Sequence, residues 1–248
     1  MLRSDAASAE VTVPSGGGRC ESDDLGMIGN SPPMRELRRT ILQLARIPAP
    51  VLVTGETGTG KELVARALHA ASARTGAFVA VNAGALPGSL IASELFGHTR
   101  GAFTGATNAH RGVFEQADGG TLLLDEVDAL PLDLQAWLLR VVETGEVRAL
   151  GAERPRYVYV RVIASTHADL QAAVEARRFR ADLYWRLAVL EVAVPALRER
   201  KDDIAALARD TLGKLEPSRV LTSDALQVLT LHDWPGNVRE LRGVLIRA

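Results

Sequence analysis

Residues Gly55-Glu56-Thr57-Gly58-Thr59-Gly60-Lys61-Glu62 directly follow the apolar run Val51-Leu52-Val53, and Leu63 comes next. Glycines at this spacing let backbone N–H groups converge on an anion, and Lys61 adds a positive charge at the same place. A helix opening at Lys61 would turn its partially positive end toward that anion. The chemistry this points to is the binding of a nucleoside triphosphate. The last loop position is Glu62, where a Ser or Thr hydroxyl normally ligates Mg²⁺. Another group or water takes that ligand place, or metal binding differs.

A second run, Gly119-Gly120-Thr121-Leu122-Leu123-Leu124-Asp125-Glu126, is an apolar strand ending in two carboxylates. Ligands of open α/β sheets bind at the carboxyl edge, where such acids would sit. Asp125 is the candidate to hold Mg²⁺. Glu126 is the candidate to polarise an attacking water. Read alone, each carboxylate is as well explained as a solvated strand end. Paired with the phosphate loop, the catalytic reading is the better one. His69 and His98 lack partners at metal-ligand spacing, so no metal beyond nucleotide-bound Mg²⁺ is expected.

Alternating elements must position these groups. The patterning predicts strands at 51–54, 78–82, 121–124, 158–165 and 187–194. It predicts helices at 61–71, 134–143 and 168–176, and an earlier helix capped by Ser31 with Pro32-Pro33 in its first turn. Met34, Leu37, Ile41 and Leu44 follow at helical spacing in that first helix. In the helix after the loop, Leu63, Val64, Ala67 and Leu68 are expected on one face. Strands separated by helices argue for a parallel sheet covered on both faces. After Pro195 the pattern turns all-helical, at 202–215, 223–231 and 237–246, with Ser223 and Asn237 as expected caps. The expected class is therefore α/β: a phosphate-loop nucleotide-binding unit over 25–200 and a small helical lid over 201–248 whose completeness the sequence leaves open.

Residues 1–24, with Ser15-Gly16-Gly17-Gly18, read as a flexible tail. The formal net charge of −1 suggests no wholesale attraction to nucleic acid or membrane. No apolar run approaches the ~20 residues of a membrane span. The single cysteine, Cys20, excludes an internal disulfide framework, and a cytoplasmic location is expected.

With these residues in place, the chain from about Leu25 onward resembles the AAA+ domain of sigma-54-dependent transcriptional activators, the bacterial enhancer-binding proteins. The phosphate loop and the Asp125-Glu126 strand carry part of the likeness. Gly101-Ala102-Phe103-Thr104-Gly105-Ala106 carries most of it. Glu94-Leu95-Phe96-Gly97-His98, the run Phe179 to Leu187 and the run Trp234 to Leu241 extend it. The resemblance implies an AAA+ fold and hydrolysis of ATP with Mg²⁺. Phe103 and Thr104 would form the tip of a mobile loop that contacts sigma-54. A second loop over 148–159 resembles the family's partner loop.

By the same resemblance Arg180 and Arg186 reach the neighbour's ATP in a ring, hexameric in its active state. On residue types alone solvated helix-face arginines fit equally, because Arg177 and Arg178 lie alongside. Asn82 resembles the residue that holds the catalytic glutamate at rest. Thr166-His167 falls at the nucleotide-sensing position. Arg239 resembles the lid arginine that touches the phosphates, and Ile28-Gly29 borders the adenine ring.

The implied function is an ATPase that remodels the closed complex of sigma-54 RNA polymerase holoenzyme. Two rivals remain: a sigma-54-binding regulator that does not open promoters, and an unrelated phosphate-loop kinase. The family usually adds an upstream sensor and a downstream helix-turn-helix. Residues 1–24 are too short for the first and nothing follows Ala248, so DNA binding is not expected from this chain, and no membrane partner is expected.

Overall fold

The computed structural model describes residues 25–85, 87–216 and 221–247. The expected tail at 1–24, with Cys20, lies outside the described residues.

The chain opens with α1 (Pro32–Ala45) and β1 (Val51–Thr54). Next come α2 (Lys61–Ala70), β2 (Phe78–Asn82), α3 (Gly88–Phe96), α4 (Val113–Gln116) and β3 (Thr121–Asp125). A 3₁₀ turn at Val127–Ala129 leads to α5 (Leu132–Thr144), β4 (Glu146–Val147), β5 (Arg156–Tyr157) and β6 (Arg161–Thr166). Then follow α6 (Leu170–Glu175), α7 (Ala181–Leu187) and β7 (Leu190–Ala193). A second 3₁₀ segment, Leu197–Asp203, leads into α8 (Ile204–Leu215), α9 (Ser223–Leu231) and α10 (Asn237–Arg247).

Five strands form one parallel sheet in the order β2-β3-β6-β1-β7. Their apolar runs alternate between two cores, as successive strand residues must. Leu52, Leu122, Leu124, Val162 and Ala164 pack on one face with α3 to α7. Val51, Val53, Leu123 and Ile163 pack on the other with α1 and α2. A third cluster, built on Leu197, Ile204, Leu207, Trp234, Leu241 and Leu245, closes the helical part.

Several sequence expectations shift. Leu63 is exposed, while Val64, Ala65, Ala67 and Leu68 form the buried face of α2. Ser31 stands at the N-cap of α1 as expected, with proline in the first turn, but its hydroxyl makes no cap bond and donates to Asp203 Oδ2 at 2.6 Å. The cap of α9 is Thr222, whose side chain accepts from the Ala225 N–H, and not Ser223. The strand expected from 158 starts at Arg161; Val158, just after β5, donates its N–H to the Gly145 carbonyl just before β4. The strand expected from 187 starts at Leu190, because α7 runs through Leu187. Helices α3, α4 and α7 fall outside the helices expected from the sequence.

Candidate functional site

The sheet register brings the chemistry together. Thr54 at the end of β1 pairs with Thr166 at the end of β6, and Asn82 at the end of β2 pairs with Asp125 at the end of β3. The loop after β1 therefore stands over the carboxyl edge, the ligand side of open α/β sheets.

Within this loop Thr59 is buried, and its hydroxyl donates to the Glu56 carbonyl at 2.8 Å. Gly60 takes a left-handed conformation and hands the chain to α2. Lys61 Nζ donates to the carbonyls of Gly55 at 2.7 Å and Glu56 at 3.1 Å. Burial lowers the pKa of this ammonium, while the nearby charges of Asp125 and Glu126 favour its charged form. Half-buried among acids and backbone carbonyls, it can exchange those carbonyl partners for phosphate oxygens.

A cavity of about 690 Å³ runs over this loop, within the range of small-molecule and cofactor sites. Its lining combines apolar walls from Ile28, Met34, Leu37 and Leu207 with the charged groups of Lys61, Asp125, Glu126 and Arg239. Thr57 through Leu63 and His167 also line it. Gly29, Gly55 and Glu56, three of the sequence candidates, do not. Gly29 instead packs against Asp203, which accepts N–H bonds from Asn30 at 2.7 Å and Ser31 at 2.9 Å.

Asp125 is held on both sides. Its Oδ1 accepts from the Ser165 hydroxyl at 2.6 Å, and its Oδ2 from Asn82 Nδ2 at 3.4 Å. Asn82 thus bonds Asp125 and not Glu126; its Oδ1 takes the Gly84 N–H at 2.7 Å. Glu126 sits at φ +55°, and its carboxylate lies so close to Gly84 that a Cβ there would overlap it.

Thr166 is fully buried, and its hydroxyl donates to Asp128 Oδ1 at 2.5 Å. Of the sensing pair, only His167 reaches the cavity. Glu62, the unusual loop residue, bonds Arg66 at 2.7 Å and is half-exposed. Among the described residues no group of three or more His, Cys, Asp or Glu could hold a metal. One oriented carboxylate beside a phosphate loop is nonetheless what Mg²⁺ uses, because it keeps several waters and takes phosphate oxygens as ligands. Asp125 fits that role.

The lid meets the loop directly. Val238 donates its N–H to the Gly58 carbonyl at 3.1 Å. Asn237, expected as a cap, is instead buried at φ +54° and bonds Glu56, Thr57 and Leu197. Arg200 reaches the Thr59 carbonyl at 2.9 Å from the 3₁₀ segment. The sequence does not mark Arg200, Asp203 and Asn237 as site-builders, because their partners Thr59, Ser31 and Glu56 lie more than 140 positions away.

Arg180 and Arg186 are exposed at the two ends of α7, and neither lines the chain's own cavity. Arg180 is paired with Asp182 through bonds of 3.0 and 2.7 Å, which raises its pKa further.

The Gly101–Ala106 stretch forms a loop closed by the Gly101 N–H to the Ala106 carbonyl at 2.8 Å. Its base is tied by backbone bridges from His98 to His110 and Leu150. Phe103 is 42% exposed and leans on the His98 ring, 4.9 Å away. Gly151, in the second loop, packs against Thr99 and Ala102.

A parallel sheet with a phosphate loop at its carboxyl edge and a helical lid above defines a nucleotide-binding AAA+ unit. The sigma-54 interaction domain model matches residues 27–193, and the AAA+ ATPase lid domain model matches residues 198–248. The chain belongs to the sigma-54 interaction domain family. It is 50% identical over 231 residues to the response regulator protein PilR of Pseudomonas aeruginosa, covering 91% of this chain and 52% of PilR. It is 45% identical over 242 residues to the DNA-binding transcriptional regulator NtrC of Azospirillum brasilense, covering 96% of this chain and 50% of NtrC. Among solved structures it is similar to NtrX from Brucella abortus in complex with ATP, with a TM-score of 0.82 and 38% identity, covering 89% of this chain and 49% of NtrX. The chain spans about half the length of the curated relatives it matches. Among the described residues no helix is long and apolar enough to cross a membrane.

Proposed function

We propose that this chain is the motor of a sigma-54-dependent transcriptional activator, hydrolysing ATP to remodel the closed complex of sigma-54 RNA polymerase holoenzyme. The observation that carries the reading is the single cavity that joins Lys61, Asp125, Glu126 and Arg239, in a chain of the sigma-54 interaction family.

ATP enters with its base toward Ile28 and Met34 and its phosphates toward the loop amides and Lys61. Mg²⁺, held by Asp125, would neutralise charge building on the phosphates. Glu126 orients and deprotonates the attacking water. Arg239 touches the phosphates from the lid. Arg180 and Arg186, outside the chain's own cavity, serve the neighbouring protomer's site in a ring of copies, hexameric when active. Arginine suits this because its planar fork is always charged. Phe103 and Thr104 carry the stroke to sigma-54. The machine works beside RNA polymerase in the cytoplasm.

Turnover per protomer as a function of protein concentration tests the reading. A site completed by a neighbour requires the specific rate to rise with concentration and then level off. A rate independent of concentration would remove the shared site, and absence of turnover at ring-forming concentrations would leave a sigma-54-binding regulator.

A further inference from the structure

Glu56 belongs to the phosphate loop by sequence, yet its carboxylate leaves the nucleotide cavity. It lines a second, smaller cavity together with Arg198. Its Oε1 accepts from Arg198 Nη2 at 2.5 Å. Its Oε2 accepts from Arg198 Nη1 at 2.9 Å and from Asn237 Nδ2 at 3.0 Å. Both members of the ion pair are more than two-fifths exposed, so the pair alone contributes little.

Asn237 is different. It is 0% exposed, and its backbone is left-handed. Its Oδ1 accepts the Leu197 N–H at 2.7 Å, while its Nδ2 is shared between Glu56, Thr57 and Pro235. A buried amide on strained backbone persists only where its surroundings over-determine it. Here the surroundings are the phosphate loop itself. Three consecutive loop residues, Glu56, Thr57 and Gly58, are bonded to the first two residues of α10. The next residue is Arg239, which lines the nucleotide cavity.

We propose that Glu56 is a positioning residue: with Asn237 it latches the start of α10 to the phosphate loop, so that occupancy of the loop is passed to Arg239 and the lid. This rests on the ATPase reading above. The input is Lys61, whose Nζ bonds the Glu56 carbonyl. Phosphate oxygens compete for that ammonium, and the peptide they release carries the side chain that holds Asn237.

The test compares wild type with Glu56→Ala, Glu56→Gln and Arg198→Ala at ring-forming concentration. The readouts are binding of ATP and ADP, steady-state turnover, and amide hydrogen exchange across 237–247. In wild type, a non-hydrolysable ATP analogue protects 237–247 more than ADP does. Glu56→Ala binds ATP within about threefold of wild type, loses that difference, and loses about ten- to a hundredfold in kcat, as expected for a hydrogen bond to a charged group. Glu56→Gln, which keeps an acceptor for Asn237, recovers the protection and most of kcat. Arg198→Ala, which removes only the exposed pair, stays within about threefold of wild type.

Wild-type turnover and protection in Glu56→Ala would overturn the latch. So would wild-type chain that binds the analogue with no change across 237–247, a result that needs no variant to fold. A wild-type chain that binds no nucleotide would instead overturn the ATPase reading.

Discussion

The two glycine-rich loops of this chain use the same backbone freedom under opposite constraints. Gly58 in the phosphate loop has φ +81°, and a side chain there would overlap the Gly236 carbonyl of the lid. Gly105 has φ +105° and open space around it. The first loop is fixed by Lys61 and Thr59 within it, by Arg200 of the 3₁₀ segment and by Asn237 and Val238 of the lid. The second is held by its own backbone and its base, with Phe103 and Thr104 exposed at the tip. A loop that cradles an anion gains from a geometry its neighbours dictate. A loop that carries work to a partner must be drawn from the weakly held end of the structure.

The largest expected effects fall on the nucleotide side of the comparison. On the proposed neighbour-site role, Arg180→Ala should lower turnover by about 10³- to 10⁵-fold while sparing ATP affinity, the scale of an arginine finger in GTPases. A variant that mainly weakens binding, with turnover of bound ATP unchanged, would remove the neighbour-site role. Glu126→Gln should bind ATP and lose about 10²- to 10⁴-fold in kcat, read by single-turnover kinetics.

The glycine pair sharpens the contrast directly. Gly58→Ala should cost more than the roughly 1–3 kcal/mol of backbone strain alone, because it also displaces Gly236. Gly105→Ala should cost no more than the strain. Equal shifts in denaturant midpoint would erase the difference between the loops.

The smallest effect concerns Glu56, whose bond to Arg198, with help from Asn237, holds its pKa down to about 2 from 4.5. A depressed carboxylate stabilises the folded state above its unfolded value and loses that contribution on acidification. The loss therefore falls between about pH 4.5 and pH 2, and the group contributes no slope near neutrality.

The sheet was legible in the sequence because its strands are unbroken apolar runs ending in chemistry: Val51–Thr54 runs into the phosphate loop, and Leu122–Leu124 runs into Asp125-Glu126. Alternation then splits each run between two cores without further instruction. The lid contacts were not legible. Asn237 has the residue type and position of a helix cap, and only the fold shows that its amide faces Glu56 across 181 positions. Asn82 stood in the expected place beside the acids, but the register that pairs it with Asp125 gives it a different partner from the one expected. Leu63 fell on the apolar face by spacing, yet it faces the cavity, because the phosphate loop leaves that part of α2 uncovered.

The central claim is that ATP split at the sheet edge does its work through the exposed tip of the second loop. The most direct measurement follows ATP turnover and promoter opening by sigma-54 RNA polymerase holoenzyme side by side, in wild type and Thr104→Ala. Turnover within about twofold of wild type with no promoter opening is the expected result. Promoter opening by Thr104→Ala equal to wild type would contradict it.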